Sequence, residues 1–300
     1  MTVTWKKSFI ALLIIWVSLV AVYGQEKADS TGKSFLWQVE GTAGKSYLLG
    51  SVHLLKKEHY PLKKPIEEAF EQTDVIAVEA DVSGEKMMQD GMKILQKGMY
   101  QGEETLKNNI SEKTYQLAEK KLEELGMNIE GMQKFKPWMA ALTITSIGLM
   151  KMGFNPNYGI DKYFLDRAVG KKEIAELEGL EFQMNLFDGM SKEENDKFLL
   201  SSILEVDRME KEMDKLINAW IDGDVQEMET FFTDNIQKYP ELKNLYKKIL
   251  DGRNERMVEK IVTYLKSGKK YFIVVGAGHM VGKKGIVQLL KDKGIKVEQL

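Results

Sequence analysis

Tyr47-Leu48-Leu49-Gly50-Ser51-Val52-His53 has a counterpart near the other end of the chain, Ile273-Val274-Val275-Gly276-Ala277-Gly278-His279. Each is a short apolar, strand-like run ending in Gly-x-x-His. In open sheets with helical crossovers, ligands bind outside the carboxyl ends of the strands. A glycine at a strand end permits a tight turn, and the histidine three residues later projects over that edge. The chain has three histidines, and two of them occupy these matched frames. Two such strands from opposite ends of the chain predict one sheet built from both termini.

The flanking sequence extends this reading. Phe35 to Glu40 and Tyr47 to Gly50, joined across a Gly41-to-Gly44 turn, predict a hairpin. Pro61 to Thr73 predicts a helix, with Pro65 near its start and Ile66, Ala69, Phe70 and Thr73 at helical spacing. Val75 to Glu79 predicts a buried strand. Towards the C-terminus, Glu255 to Lys266, Tyr271 to Val275, Lys283 to Lys293 and Ile295 to Val297 predict helix, strand, helix and strand. The middle is helical: Ser111 caps a helix ending at Gly126, Pro137 starts one running to Met150, and Lys192 to Asn218, Asp224 to Phe232 and Glu241 to Leu250 continue the pattern. The methionines of this region suit adaptable packing. The fold class is therefore α+β or α/β, a central β-sheet built from N- and C-terminal β/α segments with a large inserted helical region. Residues 34–300 read as one domain carrying that insertion at about 105–250, with 25–33 as a linker.

Residues 1–24 have the pattern of a signal peptide: Lys6 and Lys7, an apolar run from Phe9 to Val22, and small residues at Val22 and Gly24 before polar Gln25. That run is 14 residues, short of the roughly 20 of a spanning helix. The expected location is exported: periplasmic, extracellular, or anchored facing outward if the leader is retained, which is the one route to membrane association. The net charge of −2 carries no basic footprint, so a nucleic-acid partner is not expected. With no cysteine, disulfides, thiolate catalysis and sulfur-ligated metals are excluded, and any metal site must use nitrogen and oxygen.

Several polar residues fall near the expected sheet edge. Glu79 ends a buried strand, where an unpaired charge is costly, so it requires a cation or a metal. Arg253 is expected at the N-terminus of the helix starting near Glu255, where a cation opposes the helix dipole. Asp251 or Asn254 can cap that helix, whereas Arg253 suits an active-site carboxylate or a developing oxyanion. Glu178 is either a second metal carboxylate or a solvated turn residue. Asp161 reads most simply as a helix cap, Asp81 as a turn residue and His59 as a surface loop residue.

Gly50-Ser51-Val52-His53, Val78-Glu79, Gly159-Ile160-Asp161, Leu177-Glu178, Arg253-Asn254-Glu255-Arg256-Met257 and Gly276-Ala277-Gly278-His279-Met280-Val281-Gly282 together resemble, in order, the TraB/GumN family. Its relatives include the Tiki-type metal-dependent peptidases. The resemblance runs from about Phe35 to the C-terminus. It departs from many relatives at Gly179, where they have threonine after the Leu-Glu pair. The resemblance implies a metal-dependent hydrolase, most simply a peptidase, acting on a peptide or small-molecule substrate. His53, His279, Glu79 and Glu178 would be the metal ligands, and Glu79, Arg253 and Asn254 the catalytic set. The implied ion is manganese or cobalt; nitrogen and oxygen ligands suit iron and zinc as well. A metal-free esterase-like hydrolase and a non-catalytic secreted binder of peptides or signal molecules are the alternatives. Haem binding through a tyrosine such as Tyr158 is a weaker one.

Overall fold

β1 (Leu36–Gly41) and β2 (Gly44–Ser51) form the predicted antiparallel hairpin, whose register closes at Gly41 opposite Gly44. This computed structural model describes residues 32–238, 240 and 243–300. The signal-peptide reading of residues 1–24 and nearly all of the linker lie outside the described residues. β3 (Val75–Val78), β4 (Glu173–Glu176), β5 (Tyr271–Gly276) and β6 (Val297–Gln299) complete one mixed sheet in the order β4-β3-β5-β2-β1-β6. The predicted class, a mixed α+β fold with a large helical region, is the observed one.

The four strands β4, β3, β5 and β2 run parallel, with Val78 opposite both Val274 and Glu176, and Gly50 opposite Val275. Their carboxyl ends therefore lie along one edge. The segments leaving that edge carry Ser51 and His53, Glu79, Glu178, and Gly276 and His279. β3 and β5 are buried along their whole length and have no polar alternation, as expected for strands covered on both faces.

Helix α1 (Lys64–Glu71) links β2 to β3, with Pro65 in its first turn. After β3 come α2 (Gly84–Gly98), α3 (Leu106–Asn109), α4 (Glu112–Glu124) and α5 (Pro137–Lys151). The Ser111 hydroxyl caps α4 by accepting from the Thr114 N–H. α5 is buried nearly all round, which suits its lack of a polar face. α6 (Ile160–Ala168) leads into β4, so the helical insertion also contributes the edge strand that pairs with β3. Next are α7 (Leu180–Asp188), the 31-residue α8 (Lys192–Asp222), α9 (Val225–Lys238) and α10 (Lys243–Tyr246). α8 starts with a Ser191–Glu194 capping box and ends at Gly223, whose φ of 67° is left-handed.

The helix predicted over Glu241–Leu250 is thus different in its described part: α10 is short and passes into a π-helical turn, Lys247–Asp251, which runs on into α11 (Gly252–Leu265). α12 (Ala277–Met280) and α13 (Ile286–Asp292) follow β5 and precede β6. Phe70 of α1, Phe164 of α6 and Phe272 of β5 meet with ring centroids 4.8–5.5 Å apart. This contact locks two helices to the central strand, and aromatic pairs add about 0.5–1.5 kcal/mol each beyond the area they bury.

Candidate active site at the carboxyl edge of the sheet

His53 is placed by two close backbone approaches. At the end of β2 the Trp220 indole N–H of α8 donates to the Gly50 carbonyl at 2.6 Å. A Cβ on Gly50 would lie 2.3 Å from the Phe35 ring, so only glycine fits there. Two residues on, the start of α6 docks against the chain: the Ile160 N–H donates to the Val52 carbonyl at 3.0 Å. Gly159 sits so close that a Cβ would lie 2.2 Å from the His53 carbonyl oxygen.

This docking delivers Asp161. Its Oδ2 lies 2.6 Å from His53 Nδ1, and its Oδ1 accepts from the Ser51 hydroxyl at 3.0 Å. Asp161 is therefore not the helix cap predicted for it; Gly159 holds that position, and the carboxylate reaches back to the sheet edge. Burial by itself lowers the pKa of the His53 ring, but Asp161, aided by Glu79, more than offsets this, and the net shift is upward.

His279 lies in α12, just after β5, with no solvent exposure. Its Nδ1 is 2.5 Å from Asn254 Oδ1, while Asn254 Nδ2 donates to the Lys284 carbonyl at 2.7 Å. That second bond orients the amide: its nitrogen must face a carbonyl, so its oxygen faces the ring. Nδ1 consequently carries the proton, and Nε2 presents a lone pair. This Nε2 is buried and has no hydrogen-bond partner among the described residues. Glu79 Oε1 is 4.0 Å away. Burial, reinforced by Arg253, pushes the His279 pKa down to about 3, so the ring is neutral.

Arg253 holds two carboxylates together. Its Nη2 donates to Glu79 and, at 2.6 Å, to Glu178; its Nε donates to both oxygens of Glu178 at 2.9 and 3.1 Å. Its Nη1 donates to the Ile249 carbonyl within the π turn at 3.3 Å. The Gln183 amide, from α7, donates to Glu79 at 3.1 Å and to Glu178 at 3.4 Å. The other Glu79 oxygen accepts from the Gly276 N–H at 2.7 Å, across the strand ends. Burial would raise the Glu79 pKa, but Arg253 above all, with the two histidines and that N–H, brings it down to about 2.

Arg253 does not stand at a free helix N-terminus as predicted. The π turn continues directly into α11, Asp251 has helical angles (φ −58°, ψ −50°) and its side chain caps nothing. The dipole argument for its placement therefore does not apply, and its two carboxylate partners account for its burial. π turns recur at functional sites because they re-aim side chains within a helix.

Of the residues singled out in the sequence, His53, Glu79, Glu178, Arg253, Asn254 and His279 all lie at this edge. His59 does not join them: it closes a turn, Lys57–His59, and its Nδ1 accepts from the Lys56 N–H. The Asp81 carboxylate accepts from the Ser83 N–H, a local turn contact. Ser51 and Gln183 acquire roles that the sequence did not suggest. Ser51 lies inside the Gly-x-x-His motif, whereas no spacing marks Gln183.

The buried cluster sets the carboxylates of Glu79, Glu178 and Asp161 beside one guanidinium, neutral His279, and His53, whose pKa is raised; burial raises the Glu178 pKa as well. A buried site with more carboxylates than guanidiniums suits a cationic guest. Among the described residues no three His, Asp or Glu side chains stand ready-made as a metal cage. Both Glu178 oxygens are held by Arg253, so the groups that could hold an ion are His279 Nε2, Glu79 Oε1 at 4.0 Å from it, and the His53 ring. Engagement of Nδ1 by an oxygen, as in both His53 and His279, is the arrangement that metal-ligating histidines take.

The family model described as TraB/PrgY/gumN matches residues 35–299, and the chain belongs to that family. It is similar to "Uncharacterized protein YbaP" of Shigella flexneri, 23% identical over 247 residues covering 82% of this chain and 88% of the relative. The protein of the same description in Escherichia coli (strain K12) is 22% identical over 246 residues, covering 82% and 87%. No solved structure matches the chain.

Proposed function

We propose that the protein is an exported metal-dependent hydrolase acting on peptide bonds. The observation that carries this reading is the buried, unpartnered Nε2 of His279, facing a cluster with more negative than positive charge. His53 Nε2, His279 Nε2 and Glu79 would hold a divalent ion, with manganese, cobalt, iron or zinc all compatible with that donor chemistry. A bound divalent ion would supply Lewis-acid chemistry, acidifying water and polarising a carbonyl. The protein's own part is positional. Asp161 and Asn254 fix the ring tautomers, while Arg253 and Gln183 keep Glu79 ionised and oriented. Glu178 neutralises the guanidinium. The choice of peptide over other carbonyl substrates rests on the resemblance to Tiki-type peptidases, and export rests on the leader pattern.

The His53–Asp161 pair supports a second reading. A histidine held by a carboxylate is also the arrangement of a general base, which would let the site hydrolyse esters without a metal. Elemental analysis of the purified chain beside His53→Ala and His279→Ala, followed by a peptide-library screen with and without chelator, tests the proposal. A divalent ion present in the parent and lost in both variants, with cleavage abolished by chelation, is the expected result. Cleavage that survives complete chelation would move the assignment to the metal-free mechanism.

A further inference from the structure

The two histidines have the same tautomer but unlike partners. His53 Nδ1 lies 2.6 Å from a carboxylate oxygen, Asp161 Oδ2. His279 Nδ1 donates to a neutral amide, Asn254, at 2.5 Å. A carboxylate that accepts the Nδ1 proton draws it outward and makes Nε2 more electron-rich, so the ring becomes a stronger ligand; an amide fixes the tautomer and adds little charge. Each partner is itself anchored. The buried Ser51 hydroxyl donates to the far oxygen of Asp161, and the Lys284 carbonyl accepts from the Asn254 amide. Both arrangements rest on rigid backbone: Ser51 ends β2, Asp161 is in the first turn of α6, and Asn254 lies in α11.

We infer that the pair is built unequal: Asp161, steadied by Ser51, makes His53 the tight ligand for the ion, and Asn254 makes His279 the weak, exchangeable one. Asp161, Ser51 and Asn254 are positioning residues that set metal affinity without touching the metal. This deepens the proposed function and rests on it. Asp161→Asn isolates the charge, because the amide oxygen can still accept from His53 and its nitrogen can still donate to Ser51, whose hydroxyl rotates to accept.

The test is isothermal titration of the full chain with Mn²⁺ and with Zn²⁺, checked by the visible spectrum of the Co²⁺ form and by thermal melts. Asp161→Asn should bind roughly 10–100-fold more weakly with its melt preserved. Asp161→Ala should lose more affinity than Asn254→Ala, and Ser51→Ala should fall between Asp161→Asn and the parent. The Co²⁺ spectrum should shift in the Asp161 variants. If Asp161→Asn does not fold, Ser51→Ala, which removes a single hydroxyl, carries the same comparison. A parent that binds metal while Asp161→Asn and Ser51→Ala bind equally well, or Asp161→Ala and Asn254→Ala lose equally, overturns this inference and leaves the proposed function standing. A parent that binds no ion overturns both.

Discussion

Replacing Arg253 with methionine probes the clamp on which the site depends. The Arg253 side chain is 3% exposed and is shared by Glu79 and Glu178, whose side chains are 8% and 3% exposed. Methionine fills much of the volume but leaves two buried carboxylates facing each other, with Gln183 and the Gly276 N–H as their remaining donors among the described residues. Breaking a buried pair by deleting one partner costs about 3–5 kcal/mol. At about 2–4 °C per kcal/mol for a large domain, the melting point should drop on the order of 6–20 °C. Urea and thermal melts across pH measure it. Glu79 in the parent has a folded pKa of about 2, below its ordinary value of 4.5, so its contribution is full above pH 4.5 and is lost as pH falls toward 2. The variant loses the guanidinium that holds this pKa down, so protonation relieves it, and its deficit should shrink in acid. Adding Glu178→Gln should restore part of the loss at neutral pH. A cost under about 1 kcal/mol, or a deficit that grows in acid, would refute the view that charge pairing organises this edge.

His279, with a folded pKa of about 3 against 6.5 unfolded, binds its proton only in the unfolded chain between those values. Stability should therefore fall as pH drops below 6.5, by about 1.4 kcal/mol per unit from this group; His279→Gln should flatten the slope, as urea titrations at stepped pH would show. Gly159→Ala forces a Cβ to within 2.2 Å of the His53 carbonyl and should cost about 1–3 kcal/mol while displacing Asp161; a melt unchanged from the parent would contradict the docking argument. Trp220→Phe removes the indole N–H that donates to the Gly50 carbonyl and should cost about 1–3 kcal/mol, read by chemical denaturation.

Local pattern carried the sheet a long way. The hairpin turn at Gly41–Gly44, the β-branched run of β3 and the apolar run of β5 each declare themselves within a few residues, because strand periodicity and turn chemistry are short-range. The two Gly-x-x-His frames went further: knowing only that strand ends gather at one edge was enough to bring residues 53 and 279 together. Asp161 was different. Its spacing is that of a cap, and what overrides the cap is the approach of α6 to the Val52 and His53 carbonyls, which Gly159 alone permits.

Arg253 shows the same division. Its presence near Asp251 and Glu255 read as an anomaly against a helix dipole, yet the π turn abolishes the free terminus that made it anomalous. A change from i+4 to i+5 hydrogen bonding leaves almost no trace in residue pattern, because it depends on how the whole helix packs. Gln183 had no signal at all, since a glutamine one turn into a helix is ordinary until two carboxylates arrive beside it from β3 and from the segment after β4. The sequence by itself determined the strands at the two ends of the chain, the helical insertion and the matched histidine frames, which follow from periodicity and strand-end chemistry; β4, inside the insertion, was not among them. Only the tertiary structure decided which partner each titratable group keeps, because hydrogen bonds between residues 25 to 197 positions apart are set by packing and not by neighbours in the chain.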